Sequence, residues 1–395
     1  MDVEAWRDAV DLFEDLDDPR VVGRCKHRLA DIVMITLVGL IGPCEDWEDV
    51  VEFGRAYEDW FKRFLTLEHG IPSHDTFARV FGLLDPACMH TCFERWLTHL
   101  VRSLEAGASG GTFGGSMKTI AIDGKTLRLS NAAQGEADRP PLHLVSAWAH
   151  ESGLVLAQRA CDEKSNEITA IPELLEMLDL EGVTVTIDAM GCQKAIAQKL
   201  RVNKADYALA LKSNHARLHT QAVLLMSEAD DLEASIQHAT HRTDERGHGR
   251  EETRVYTTVT LNDRTTHRVG DATREAWPGL EAIGRVVSTR TIKDKTTTQT
   301  RYYLLSDPDV KHFAKSVRGH WGIENQLHWV LDVTMGEDGN RTSKDHGPEN
   351  LAILRRLALN LLRMAREHTK KSMKKMRNRI GFGIDYLEEL LNAVF

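Results

Sequence analysis

Asp123 closes an apolar run, KTIAID (118–123), and Gly124 follows at once. Asp188 does the same after VTVTI (183–187), with Gly191 three residues on. Both runs read as strands, and a carboxylate at the carboxyl end of a strand occupies the crevice where open α/β sheets place their sites. Two such acids on neighbouring strands repel one another unless a cation sits between them. A hard divalent ion with oxygen ligands, Mg2+ or Mn2+, meets that need. The plainer alternative is that each Asp caps the helix after its strand. The third acid is Glu324 in RGHWGIENQLHW (318–329), three residues from both Trp321 and Leu327. That spacing sets it at the edge of a buried helical face, where an unpaired carboxylate is costly. Its plainer alternative is a surface pair with Arg318 or His328. His328 and Asp332, four residues apart, permit a zinc reading that lacks a third ligand.

These residues need elements to hold them. The first hundred residues read as helical. Val33, Ile35, Leu37, Val38 and Leu40 form an apolar segment, and Phe53, Trp60, Phe61, Phe64 and Leu65 recur at three- and four-residue spacing. Pro72-Ser73 opens a further helix that Asp85-Pro86 stops. This predicts an all-α unit over 1–106, followed by a Gly-rich linker over 107–116. The pattern then changes period. Strands are expected at 118–129, 142–149, 153–160, 183–187 and 207–211, with helices after Ser165-Asn166 and after Asp188. Such alternation predicts an α/β sheet over 117–213. Residues 214–300 read as an insertion of one helix and Thr- and Arg-rich β-like stretches. The strand 301–305, a helix over 312–331 and another over 351–364 complete the second part of the α/β domain, 301–362. A basic helix or tail occupies 363–395.

Composition bounds the answer further. The 395 residues are 42 % hydrophobic and 28 % charged, as in a globular protein of two or three domains. The longest apolar run, 32–41, is too short to span a bilayer. Six cysteines in this length suggest reduced thiols and a cytoplasmic chain. The net charge of −9 argues against a nucleic-acid partner, yet residues 363–379 carry eight bases against Glu367 alone. A local excess of that size matters more to a phosphate backbone than the sum over the chain.

The strings AIDGKTLR (121–128), EKSNEI (163–168), TIDAMGCQ (186–193), YALALKSNH (207–215) and HWGIENQLHWVLDV (320–333), with GIPSHDTFARVFGLLDP (70–86), resemble the DDE transposases of the H-repeat-associated insertion-sequence type. The resemblance covers about residues 8–392. It implies an RNase H-like catalytic domain with a β-rich insertion, preceded by an all-α N-terminal domain. It implies Asp123, Asp188 and Glu324 as catalytic and metal-binding acids, with two Mg2+ or Mn2+ ions about 3.5–4 Å apart serving both oxygens of an in-line displacement. DNA is the implied partner, both element ends and target. A homodimer would pair two ends, nucleoid-associated when bound, with no membrane and no small-molecule substrate. Related families place a Tyr and an Arg before the Glu and a Lys seven residues after it. Here those positions hold Val317, His320 and Leu331, with Arg318 nearby. Expected DNA contacts are Lys125, Arg128, Lys164 and Lys212 around the site, Arg250 and Arg254 in the insertion, Arg318, and Lys370, Lys371, Lys374 and Lys375. An inactive DNA-binding derivative and a metal-dependent nuclease are the alternatives.

Overall fold

Nine strands form one mixed sheet in the computed structural model, which describes residues 3–21, 23–107, 119–131, 140–161, 166–231, 236–247, 249–293 and 295–392. Lys164 and the expected linker beyond Gly107 lie outside the described residues. The strands are β1 (Thr119–Thr126), β2 (His143–Ala149), β3 (Val155–Ala160), β4 (Thr184–Ile187), β5 (Asp206–Leu211), β6 (His238–Gly247), β7 (Arg250–Thr260), β8 (Ala282–Ile292) and β9 (Lys295–Leu305). Their spatial order is β3-β2-β1-β4-β5-β9-β8-β7-β6. β4 runs parallel to β1 and β5, and the other pairs are antiparallel. All four residues of β4 are buried, as expected of a parallel strand covered on both faces.

Register and alternation deliver the two aspartates. Ile122 pairs with Ile187, so Asp123 and Asp188 come next on adjacent parallel strands. Asp188 follows the end of β4, whereas Asp123, expected at a strand end, lies within β1, where its pairing to β4 stops and its pairing to β2 continues. Successive side chains point to opposite faces of a strand. Thr119 meets Ser316, while Thr184 and Thr186 meet His312 and His320, all on the helix Val310–Gly322. Asp123 shares the face of Thr119, and that face lies under the helix leading to Glu324. On the other face Ile187 and Ile171 crowd Gly191, which sets the helix Glu167–Glu176 there.

The remaining strands lengthen the sheet. β9 runs unbroken from Lys295, pairing β8 along its length and β5 through Tyr302–Leu305. The boundary expected at 300/301 therefore falls inside one strand, and the insertion shares a sheet with the catalytic domain.

The helical part uses both ends of the chain. All thirteen residues of Leu29–Ile41 are buried, which explains a helix apolar all round. Ser73 caps His74–Leu83, accepting a hydrogen bond from the Thr76 N–H at 3.3 Å. The core these helices start is completed by Gly347–Glu367, packed against Leu29–Ile41, His74–Leu83, Pro86–Gly107 and β3. Asn360 on that helix also covers the edge strand β3. Its amide donates to the Val155 carbonyl at 2.8 Å and its carbonyl accepts from the Val155 N–H at 2.9 Å. Among the described residues no helix is long and apolar enough to cross a membrane.

Candidate active site

Glu324 does not lie on a plain α-helix. The α-helical hydrogen bonding of Val310–Gly322 gives way to a π-helical turn over Ile323–His328, then resumes through Trp329–Val333. In that turn the Trp329 N–H donates to the Glu324 carbonyl, five residues back. Such turns concentrate at functional sites because they re-aim side chains. Here Glu324 and His328 face Asp123 together. His328 Nδ1 is 3.7 Å from Asp123 Oδ2 and 3.6 Å from Glu324 Oε2. One ligand atom from each of the three lies within 4.8 Å of the others, close enough to hold a single ion.

The charge on these groups is strained in the way a cation would relieve. Burial pushes the Asp123 carboxyl up to about 8, and Glu324, Asp188 and Glu167 add like-charge repulsion. Glu324 is half exposed, and the adjacent His328 holds its carboxyl below the usual range. Asp188 both acts on Asp123 and caps its own turn, accepting from the Met190 N–H at 2.8 Å through Oδ1. The capping alternative is thus true of Asp188 alongside its place at the site. His328 is buried, and its Nε2 has no hydrogen-bond partner. The two carboxylates suit Mn2+ or Mg2+, while the imidazole beside them favours a softer divalent ion. The zinc pairing of His328 with Asp332 fails, because Asp332 is turned away to Lys125.

The surroundings fix these positions. Gly319 and Gly322 let the helix lie against β2: a Cβ on Gly322 would sit 2.4 Å from the Trp148 indole, and one on Gly319 2.8 Å from His150. His320 accepts or donates to Thr186 Oγ1 at 3.0 Å, and burial lowers its pKa to about 4, so it is neutral. Over Asp123's neighbour Gly124 lie Glu167 and His143, themselves paired at 2.8 Å. Sequence reasoning did not single out Glu167 as a site residue. Its place in the EKSNEI string was the available signal.

Several expected DNA contacts are spent inside the protein. Lys125 is not a free cation: it is buried, held by Asp332 and by Glu337 at 2.7 Å. It points into the fold because β1 continues past Asp123 toward the Glu337 turn. Arg318 is paired with Glu245 and Arg254 with Glu245 and Glu252, so neither stands free as expected. Arg128, Lys212 and Arg250 are exposed. In the basic segment Lys370, Lys374 and Lys375 are exposed, while Lys371 lies over the Tyr386 ring. Of its arginines, Arg377 is buried and donates to the carbonyls of Gly42, Cys44 and Thr334, and Arg363 donates to that of Gln326. The segment is less basic to an outside partner than its composition suggests.

A sheet in the order 3-2-1-4-5, with an acid within β1, one just past β4 and a third on the crossing helix, is consistent with an RNase H-like fold. Residues 114–361 match the family described as Transposase DDE domain, and residues 10–97 the one described as DDE_Tnp_1-associated. Two similar Escherichia coli chains bear names describing putative transposases. YncI of strain O157:H7 is 35 % identical, over 99 % of this chain and 95 % of that one. The H repeat-associated YhhI of strain K12 is 36 % identical, over 95 % of each. An uncharacterized protein in the dhlA 3' region of Xanthobacter autotrophicus is 41 % identical, over 74 % of this chain and 92 % of that one. The chain belongs to the DDE transposase family, alongside the H repeat-associated members.

Proposed function

We propose that this protein is an insertion-sequence transposase that cuts element ends and joins them to target DNA, in the cytoplasm, using Asp123, Asp188 and Glu324. The observation that carries the reading is the meeting of Asp123 and Glu324, 201 positions apart, beside a buried histidine and next to Asp188. Asp123, Asp188 and Glu324 would hold Mg2+ or Mn2+, two ions by the family resemblance, which would activate the attacking oxygen and stabilise the leaving 3' oxygen. The chain's own residues do the holding. Asp123 gives up its proton on loading, Glu324 closes the site from the π-helical turn, and His328 supplies a nitrogen between them. Neutral His320, anchored on Thr186, fixes the helix over the strand ends. No enzyme nucleophile is needed: water attacks in cleavage and the freed 3'-OH in joining. Pairing two element ends calls for a homodimer on DNA.

A supercoiled plasmid carrying the element's ends tests this. The wild type is expected to nick at those ends in Mg2+ and to bind without nicking in Ca2+. Asp188→Ala is expected to lose cleavage by more than the roughly 10–100-fold that loss of a mere outer-shell partner costs, while keeping its DNA affinity. Cleavage without preference for ends would indicate a nuclease instead. Binding without any nicking would indicate an inactive DNA-binding derivative, although all three acids are present.

A further inference from the structure

Beside Glu324 lies a depression of about 770 Å³, between the insertion strands and the Val310–Gly322 helix. Arg250, Arg254, Arg290, Arg301 and Arg318 line it, against one lining acid among the described residues, Glu252. Arg301 stacks on Trp321 at 4.3 Å, and Asn325 and Gln326 also line the depression. Those two residues also line a second depression with Trp329, Arg363 and Arg366. The two depressions thus share Asn325 and Gln326, which follow Glu324 in the chain.

Two of the five arginines converge on one carboxylate. Glu245, on β6, receives Arg318 through both prongs of the guanidinium, Nε to Oε1 and Nη2 to Oε2, each at 3.0 Å. Arg254 Nη1 is 3.0 Å from the same Oε1, and its Nη2 is 2.6 Å from Glu252. Paired guanidinium groups around one planar anion match the recognition of a phosphodiester. Arg318 and Glu245 are each about two-fifths exposed, and an ion pair in such surroundings is weak enough for a competing anion to replace it.

We propose that this depression is a phosphodiester-binding site for the DNA strand next to the reacting bond, and that Glu245 occupies one phosphate position until DNA arrives. The site rests on the transposase reading for the identity of its ligand. Glu245 acts as an internal phosphate stand-in. It keeps Arg254 and Arg318 ordered and their charge partly neutralised, and swings aside when a phosphate takes its place.

The test is binding of the full-length protein to a fluorescent duplex, without divalent ions, across a salt series. Glu245→Gln leaves the hydrogen-bonding shape but removes the competing charge. It is expected to bind roughly 3–10-fold more tightly, with a salt slope steeper by about one. Arg318→Gln is expected to weaken binding with a slope shallower by about one, and combining the two should cancel the gain. Thermal melts establish that each variant is folded. Unchanged or weaker binding by folded Glu245→Gln, with the wild type binding normally, would overturn this site and leave the transposase reading intact. Failure of every form to bind DNA would overturn both. Should Glu245→Gln not fold, unchanged binding by Arg318→Gln would overturn the site by itself.

Discussion

Asp123 is the residue on which the proposed chemistry turns, and its proton makes that measurable. Its carboxyl is pushed up to about 8, far above the ordinary range near 4. Between those values the unfolded chain is ionised at this position and the metal-free folded chain is not. Stability of the metal-free protein therefore falls as pH rises through that window. A cation reverses the effect by taking the proton's place, so its affinity rises with pH until about 8. Thermal melts from pH 5 to 9 with and without Mn2+ check this: the stabilisation by Mn2+ is expected to grow with pH and level off above about 8. A stabilisation independent of pH would show that Asp123 is not displacing a proton. The three candidate acids could be picked out in the sequence because Asp123 ends an apolar run, Asp188 follows a strand and Glu324 stands in a distinctive string. His328 was harder to place. It lies four residues from both Glu324 and Asp332, and helical spacing is symmetric, so sequence offers no choice between the partners. The π-helical turn and the Lys125 pair to Asp332 decide it.

At the scale of elements, the Glu324 helix must approach the sheet closely and then re-aim. Gly319 and Gly322 provide the approach and the π-helical turn provides the aim. Gly322→Ala would drive a methyl into the Trp148 indole, at 2.4 Å in the present geometry. It is expected to cost about 1–3 kcal/mol of stability, as overpacking does, and to depress cleavage far more than DNA binding, since the helix carrying Glu324 must shift. Equal losses in both would assign Gly322 to general packing. Periodicity showed that this segment is helical but could not show the π-helical turn, because one extra residue leaves the apolar spacing nearly intact. The insertion strands were only partly legible for a related reason. β6, HATHRTDERG, has no buried residue, and the first half of β9 is an exposed Thr-rich run, so neither shows alternation. Strand partners, not hydropathy, make them strands. The parallel strands β1, β4 and β5, buried and apolar, were plain from sequence.

Across the whole molecule, the catalytic crevice is held by contacts that no local pattern reveals. Lys125, two residues past Asp123, reaches Glu337, which also accepts from Arg356 at 2.8 Å on the Gly347–Glu367 helix. Burial opposes the charge on Glu337, but Arg356 and Lys125 outweigh it and hold its carboxyl at about 2. This ionic link ties the end of β1 to the helix that also completes the N-terminal core. The helical unit, read as ending at 106, therefore shares its core with residues from 347 onward. The basic C-terminal segment presents less charge than its composition suggests for the same reason, as Arg363 and Arg377 turn inward to distant carbonyls while Lys370, Lys374 and Lys375 stay exposed. Long-range order of this kind is what brings Asp123, Asp188 and Glu324 to one place, and a titration followed by the EPR signal of free Mn2+ at pH 8 tests that convergence most directly. The wild type is expected to bind Mn2+ saturably, two ions under the proposed function, and folded Asp123→Asn to lose that binding, since it removes the carboxylate on which both Glu324 and Asp188 act. Superimposable isotherms for the two proteins would contradict the account.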